Sequence, residues 1–245
     1  TARNSVDAKS ANIISSPVSL DTKLTNIYRL LKCLRPLVAR PPALHAECPL
    51  GKQMDMMKHI NANPLETGND ELERYALEEC YKRQRSDHRA SVLVLPAGSC
   101  ELATRFARCG ASVVVCDSPA SSQDVERRVL MSGFRDQIEF APFDCAALPE
   151  ELPGEPFDIV VVRRGLCGLP YEDARKVVRQ LLLKLRIGGK LYVSILGLHS
   201  ELARGYADLE QRVERRHAPL APALAKRYGI EGPVCLYSER NLFML

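Results

Sequence analysis

Residues 91–119 read SVLVLPAGSCELATRFARCGASVVVCDSP and contain an apolar run, a small-residue turn, a helical pattern and a second apolar run. Both runs are short and wholly apolar, which is typical of strands buried in a parallel sheet. Gly110 ends the helical pattern, and Asp117 ends the second run. This order predicts a strand–helix–strand crossover whose first turn faces a ligand.

The same alternation continues towards the C-terminus. QIEFAPFD, FDIVVVR and KLYVSILG predict three further strands, and SSQDVERRVLMSGF and YEDARKVVRQLLLKLRIGG predict the helices between them. HSELARGYADLEQRVERR predicts one more helix, and PVCLYS with NLFML predicts a terminal hairpin. The pattern predicts an α/β fold with a doubly wound, mostly parallel Rossmann-like sheet and an antiparallel terminal strand.

The N-terminal third is different, because its apolar residues recur at helical spacing. We expect a flexible tail over residues 1–19, a helical extension or lid over 20–88, and the α/β domain over 89–245. The apolar faces of these helices are either ordinary core or part of a lid that selects a substrate.

Composition excludes several classes of protein. The chain has 245 residues, of which 46% are hydrophobic and 26% charged, as in an ordinary globular protein. No apolar run is long enough to span a membrane, and TARNSVDAKSANIISS lacks the apolar core of a secretory signal. The nine cysteines include no CxxC pair, and no metal site is expected, since nothing completes a zinc site around His45 and Cys48. These features predict a cytoplasmic protein with reduced cysteines.

Charge is distributed unevenly along the chain. Residues 163–228 hold fourteen Lys or Arg against six Asp or Glu, whereas residues 91–162 hold five against eleven. The basic half is either a surface for an acidic protein or RNA, or the solvated faces of helices. A homodimer is also compatible with the sequence.

The order of motifs in residues 91–197 resembles the core of the class I S-adenosylmethionine-dependent methyltransferases. The matching features are VLVLPAGSCELA, the acid Asp117, the loop FDCAALP, the strand FDIVVV, and VVRQLLLKLRIGGKLYVS. FDCAALP is similar to the family's GDA..LP loop. The resemblance implies that the cofactor is S-adenosylmethionine.

The resemblance also implies which residues hold that cofactor. Asp117 accepts hydrogen bonds from the ribose hydroxyls, and Asp144 accepts one from the adenine amino group beside Cys145. The full expected set is Pro96, Ala97, Gly98, Ser99, Asp117, Ser118, Asp144, Cys145 and Arg163. Asp117 and Asp144 have an alternative reading as ordinary turn aspartates.

The first turn departs from the family's pattern of acidic–Leu–Gly–x–Gly–x–Gly. Val94 stands in place of the acid, Pro96 in place of the first glycine, and Cys100 in place of the third. Proline removes one N–H group. Cys100 is expected to place a side chain where the methionine part of the ligand lies. These changes predict weaker binding.

The candidate catalytic residues follow the fourth and fifth strands. Arg163 and Arg164 can bind a substrate carboxylate or phosphate, or else pair with acids of the chain itself. His199 is the best-placed candidate base, and Tyr206 is a weaker candidate. For both, a structural role is the alternative.

Two functions from different classes are consistent with these residues. The first is a methyltransferase that acts on an unidentified small-molecule or macromolecular acceptor. The alternative is a catalytically degenerate methyltransferase-fold protein that acts as a binding or scaffolding partner. A nicotinamide-dependent oxidoreductase is disfavoured, because PAGSCELA lacks the Gly-x-Gly-x-x-Gly pattern.

Overall fold

The computed structural model describes residues 71–84 and 88–245. The expected tail 1–19 and the expected helices between residues 20 and 70 lie outside the described residues. The helices and strands are α1 (Glu71–Gln84), β1 (Ser91–Leu95), α2 (Glu101–Arg108), β2 (Ser112–Asp117), α3 (Ser122–Ser132), β3 (Ile138–Pro142), β4 (Phe157–Arg163), α4 (Tyr171–Leu183), β5 (Leu185–Ser194), β6 (Ala218–Pro219), α5 (Pro222–Tyr228), β7 (Pro233–Val234) and α6 (Glu239–Phe243). Short 3₁₀ turns lie at Pro119–Ser121, Gly165–Gly168, Glu201–Ala203 and Val213–Arg215.

The first five strands form one parallel sheet in the order β3-β2-β1-β4-β5. Val92 of β1 lies opposite Val113 of β2 on one side and Ile159 of β4 on the other. The direction in which strands are added therefore reverses at β1, and a crevice opens between the carboxyl ends of β1 and β4. The predicted doubly wound parallel sheet is confirmed.

The sheet has a hydrophobic core on each face, because alternate side chains of a strand point to opposite sides. Val92 and Val94 pack with the apolar side chains of α1, α2 and α3. Leu93 and Leu95 pack with those of α4 on the other face. All four of these β1 side chains are buried, so the strand that ends at the crevice is fixed from both sides.

Helix α1 is the described part of the expected N-terminal extension. It packs against α2, β4 and β5, and it buries Leu72, Ala76 and Cys80 in the core. This helix runs from the carboxyl ends of the strands to their amino ends, so it is packed on the α/β domain along its length.

Residues 199–216 do not form the expected helix. The structure has two short 3₁₀ turns there, separated by loops. Gly205 has a φ of 73°, a left-handed conformation that ends a helix. The helical spacing of Leu202 and Tyr206 instead reflects their burial in a third core cluster.

The expected terminal hairpin is also wrong in its second strand. β7 pairs antiparallel with β6 in a small sheet of its own, apart from the edge of the main sheet. NLFML lies mostly in α6, because Ser238 and Asn241 form a capping box: the Ser238 hydroxyl accepts from the Asn241 N–H, and the Asn241 side chain accepts from the Ser238 N–H.

Within residues 71–84 and 88–245, no helix has the length and apolar character needed to cross a bilayer. The same residues contain no group of three or more His, Cys, Asp or Glu side chains that can hold a metal ion.

Candidate functional site

A crevice lies at the carboxyl edge of the sheet, between the turn after β1 and the turn after β4. It is a cleft with a cavity volume of about 200 Å³. The residues that line it are Val94, Pro96, Ala97, Gly98, Ser99, Glu101, Leu102, Arg163, Arg164 and Gly165. The structure thus brings together the four turn residues and the two arginines that the sequence singled out.

Backbone hydrogen bonds hold the turn after β1. The Ala97 N–H donates to the Cys116 carbonyl at 2.7 Å, which ties the turn to the end of β2. Helix α2 then begins at Glu101, and the first N–H groups of a helix have no partner within the helix. Because Ser99 and Glu101 line the crevice, the N–H groups at the start of α2 favour hydrogen-bond acceptors of a ligand at this wall.

Two residues at the crevice have an unusual backbone. Cys100 (φ 60°) and Arg164 (φ 56°) are the non-glycine residues with positive φ in the part of the chain that the structure describes. Arg164 lines the crevice, and Cys100 lies between two residues that do. Such a conformation costs roughly 1–2 kcal/mol per residue. Strain gathered at one crevice marks it as the candidate functional site.

The Cys100 side chain does not enter the crevice, contrary to expectation. It is 2% exposed and packs in the core cluster with Leu102 and Phe106. Cys100 is not among the residues that line the crevice, so its side chain leaves the crevice open.

The two turns that form the crevice touch at Pro96 and Gly165. A Cβ atom added to Gly165 lies 3.0 Å from the Pro96 Cδ and 3.7 Å from the Cys145 sulfur. A side chain at position 165 would press on the proline ring, so glycine suits the close approach of the two turns.

The Asp117 carboxylate lies beside the turn. One oxygen accepts from the Gly98 N–H at 3.4 Å, and the other accepts from the Ser118 N–H at 2.8 Å. Each carboxylate oxygen accepts more than one hydrogen bond, so Asp117 keeps acceptor capacity for a ligand. On the other side of the turn, Arg128 donates to the Gly98 carbonyl, a contact that the sequence analysis missed.

Asp144 and Cys145 follow β3 and reach the same region. The Asp144 side chain is exposed and accepts from the Ala146 N–H at 3.1 Å, which is the turn contact that the alternative reading predicts. Burial, with Asp144 and Asp117 nearby, raises the pKa of the Cys145 thiol to about 12. Asp117 and Asp144 therefore both lie close enough to the Cys145 thiol to affect its pKa, and this thiol lies near Gly165.

Arg163 pairs with a carboxylate of the chain, as one of its two sequence-based readings predicts. Its partner is Glu73 of α1, whose side chain is 2% exposed and which also pairs with Arg105 at 3.2 Å. The sequence analysis missed Glu73. A signal was present, because Glu73 shares the inward face of α1 with Ala76 and Cys80, at spacings of three and seven residues.

The remaining candidates lie apart from the crevice lining. His199 is exposed in the turn after β5. The Tyr206 hydroxyl is buried, donates to the Val234 carbonyl at 2.6 Å and accepts from the Ala218 N–H at 3.1 Å, which is a structural role. The backbone N–H of Arg164 donates to the Ser194 carbonyl, so the end of β5 holds the turn that carries Arg164.

No protein-family model matches this chain, and no curated protein matches it by sequence. Solved structures of related shape include the CcbJ methyltransferase from Streptomyces caelestis, with a TM-score of 0.40, 18% identity and 49% of each chain covered. The S-adenosylmethionine-dependent methyltransferase SibL has a TM-score of 0.44 and 15% identity over 69% of this chain and 46% of that chain. "PigF with SAH" has a TM-score of 0.47 and 16% identity over 64% and 43%.

The chain spans about half the length of the structures it matches. The function is therefore inferred from the crevice itself.

Proposed function

We propose that this chain is a methyltransferase that binds S-adenosylmethionine in the crevice and transfers its methyl group to an acceptor. The observation that supports the proposal most directly is the position of Asp117. Asp117 ends β2, and its carboxylate accepts from the N–H of Gly98, which lines the crevice; this supports a role for Asp117 in binding the nucleoside of the ligand.

The residues around the crevice fit such a ligand. Asp117 is the proposed acceptor for the ribose hydroxyls, and Asp144 is the proposed acceptor for the adenine amino group. The protonated thiol of Cys145 and the ring of Pro96 offer apolar surface beside them. The small side chains of Ala97 and Ser99, with Gly98, let the backbone approach the ligand closely.

The bound cofactor supplies an activated methyl group on a sulfonium ion. The chain must therefore align an acceptor atom with that group and, for some acceptors, remove a proton. Arg164 is the proposed residue for an anionic acceptor, because it lines the crevice. The N-terminal helices remain the proposed source of acceptor selection.

The acceptor is proposed to be a small molecule rather than a polyanion. Among the described residues, at least seven of the fourteen cations in residues 163–228 pair with carboxylates: Arg163, Arg175, Lys176, Lys184, Arg186, Lys190 and Arg227. This pairing reduces the positive charge that is available to RNA or to an acidic protein.

Calorimetric titration with S-adenosylhomocysteine tests the proposal. We expect micromolar binding by the natural chain and at least a tenfold loss with Asp117→Ala, since hydrogen bonds to a charged group are removed. Asp136→Ala is the matched control, because Asp136 is exposed ahead of β3 at the opposite edge of the sheet. Absence of heat at millimolar ligand contradicts the proposal and favours the scaffolding alternative.

A further inference from the structure

Two cysteine side chains meet near the C-terminal ends of α1 and α2. Cys80 lies in the last two turns of α1, and Cys109 directly follows α2. The two thiols are hydrogen-bonded to each other. The Cys109 thiol itself donates to the Arg105 carbonyl at 3.2 Å, so its sulfur is the acceptor in the contact with Cys80. The two sulfur atoms therefore lie side by side.

The packing of the two helices holds this thiol pair in place. Cys80 is fully buried in the core cluster on that face of the sheet, and Cys109 packs against the same cluster. One turn beyond Cys80, the Gln84 side chain lies beside Gly110, where an added Cβ would be 3.7 Å from its amide nitrogen. Because a packed core resists movement, these contacts keep the two sulfur atoms adjacent.

Two adjacent thiols can contribute to a metal site or form a disulfide. Residues 71–84 and 88–245 contain no group of three or more potential ligands that would complete a metal site, whereas a disulfide needs only two sulfur atoms. Cys109 is partly exposed and Cys80 is buried, so a soluble oxidant reaches Cys109 first. Burial also raises the pKa of the Cys80 thiol to about 12, which makes Cys80 the slower nucleophile.

We propose that Cys80 and Cys109 are a redox-active pair, which a small-molecule disulfide such as oxidised glutathione converts into a disulfide bond. The Cys109 thiolate attacks one sulfur of oxidised glutathione, breaks its S–S bond and releases the first glutathione thiolate. The Cys80 thiolate then attacks the Cys109 sulfur of the mixed disulfide and releases the second. The two thiol protons pass to the two glutathione molecules, and oxidised glutathione takes up the two electrons that the protein loses.

The new bond fastens α1 to the rest of the domain. It closes a loop of about 30 residues, and such a cross-link stabilises the fold by restricting the unfolded chain. The bond lies at the end of α1 opposite Glu73, so oxidation controls how firmly the whole helix is attached. This inference does not depend on methyl transfer, because neither thiol lines the crevice.

Oxidation of the full chain with oxidised glutathione tests the proposal. After alkylation of the remaining thiols and proteolysis, mass spectrometry should find two peptides joined through Cys80 and Cys109. The unfolding temperature should rise by about 5 °C or more. Dithiothreitol should reverse both changes.

Three variants identify the thiols that react. Cys109→Ser keeps a hydroxyl for the Arg105 carbonyl and should show no rise in unfolding temperature. Cys80→Ala removes the second thiol, so glutathione should remain attached to Cys109. Cys145→Ser is the matched control, because Cys145 is the other partly exposed cysteine among the described residues, and it should keep the full rise. Unfolding curves in dithiothreitol show whether each variant is folded.

Three results would overturn the pairing of Cys80 with Cys109. They are a stable mixed disulfide on Cys109 of the natural chain, a bond from Cys109 to another cysteine, and an unchanged set of free thiols after oxidation. If the expected bond forms but the unfolding temperature does not rise, the bond does not strengthen the attachment of α1, and that part of the inference is wrong.

Discussion

At the scale of single residues, the crevice depends on close backbone contacts between its two turns. Pro96 occupies a position where the resemblance expects glycine, and Gly165 on the opposite turn leaves room for its ring. Likewise, Cys100 has a left-handed backbone, and its buried side chain is not part of the crevice lining. Substituted turn residues are therefore compatible with an open crevice when neighbouring positions adapt to them.

Gly165→Ala tests this contact. The added Cβ lies 3.0 Å from the Pro96 Cδ, and a proline ring cannot move without its backbone. We expect a loss of roughly 1–3 kcal/mol in the free energy of unfolding, as for other overpacked sites, and severalfold weaker binding of S-adenosylhomocysteine. Urea unfolding and calorimetry measure the two effects.

Gly168→Ala is the matched control, because a Cβ there has nothing within 4 Å and lies in the same 3₁₀ turn. Its stability should stay within about 0.5 kcal/mol of the natural chain, as for other surface substitutions. Equal effects of the two substitutions would show that the Pro96 contact does not define the crevice.

At the scale of elements, buried charges attach α1 to the sheet at both ends of its strands, namely the carboxyl ends, where the crevice lies, and the opposite ends. At the crevice edge, Glu73 binds Arg163. At the opposite edge, Arg83 binds Asp158 at 3.0 Å, and Asp158 is 1% exposed at the start of β4. The orientation of α1, and with it the position of Arg163, is therefore fixed from two ends.

The charge on Asp158 makes this attachment sensitive to acid. Burial raises the pKa of Asp158, but the Ser91 N–H, His88 and Arg186 outweigh burial and lower it overall. A lowered pKa in the folded chain gives stability that is present above the ordinary value of about 4 and is lost as the pH falls through the folded value. We expect Asp158→Asn to be less stable near pH 7 and to lose less stability on acidification.

Urea unfolding at a series of pH values measures this effect. Asp136→Asn is the control, since Asp136 is exposed and should leave the pH dependence unchanged. If Asp158→Asn shows the same fall in stability between about pH 5 and pH 2 as the natural chain, other carboxyl groups are responsible.

The sequence predicted helices and strands best where the spacing of apolar residues fits only one kind of secondary structure. β1, β2 and β4 are short and their central residues are apolar, so their burial in a parallel sheet could be predicted. In residues 199–216 the apolar side chains recur at helical spacing, but Gly205 interrupts a helix there. These side chains are instead buried in the third core cluster.

The same distinction applies to the candidate site. The position of Asp117 beside the first turn could be predicted, because an acid at the end of a buried strand lies where the strands end. The pairing of Glu73 with Arg163 could not be predicted, since it joins two elements far apart in sequence and depends on how α1 packs. Sequence patterns record local periodicity, and long-range ion pairs leave no such record.

At the scale of the whole molecule, the described chain has three core clusters. Two lie on the faces of the main sheet, and the third joins the C-terminal region to the start of α4 and the end of β5. Arg216 lies within this third region and donates to the Leu236 and Gln211 carbonyls. The C-terminal region thus stabilises the fold through buried polar contacts that do not line the crevice.

Tyr206→Phe tests whether the C-terminal region is structural. The substitution keeps the buried ring but removes the hydroxyl that joins β6 to β7 through Ala218 and Val234. We expect the free energy of unfolding to fall by roughly 1–3 kcal/mol, because buried backbone groups lose a partner. The affinity for S-adenosylhomocysteine should stay within about twofold, because the polar partners of this hydroxyl lie outside the crevice lining.

Tyr228→Phe is the control, since it keeps the ring beside Arg227. A large loss of methyl transfer in Tyr206→Phe with unchanged stability would instead assign this hydroxyl to the reaction.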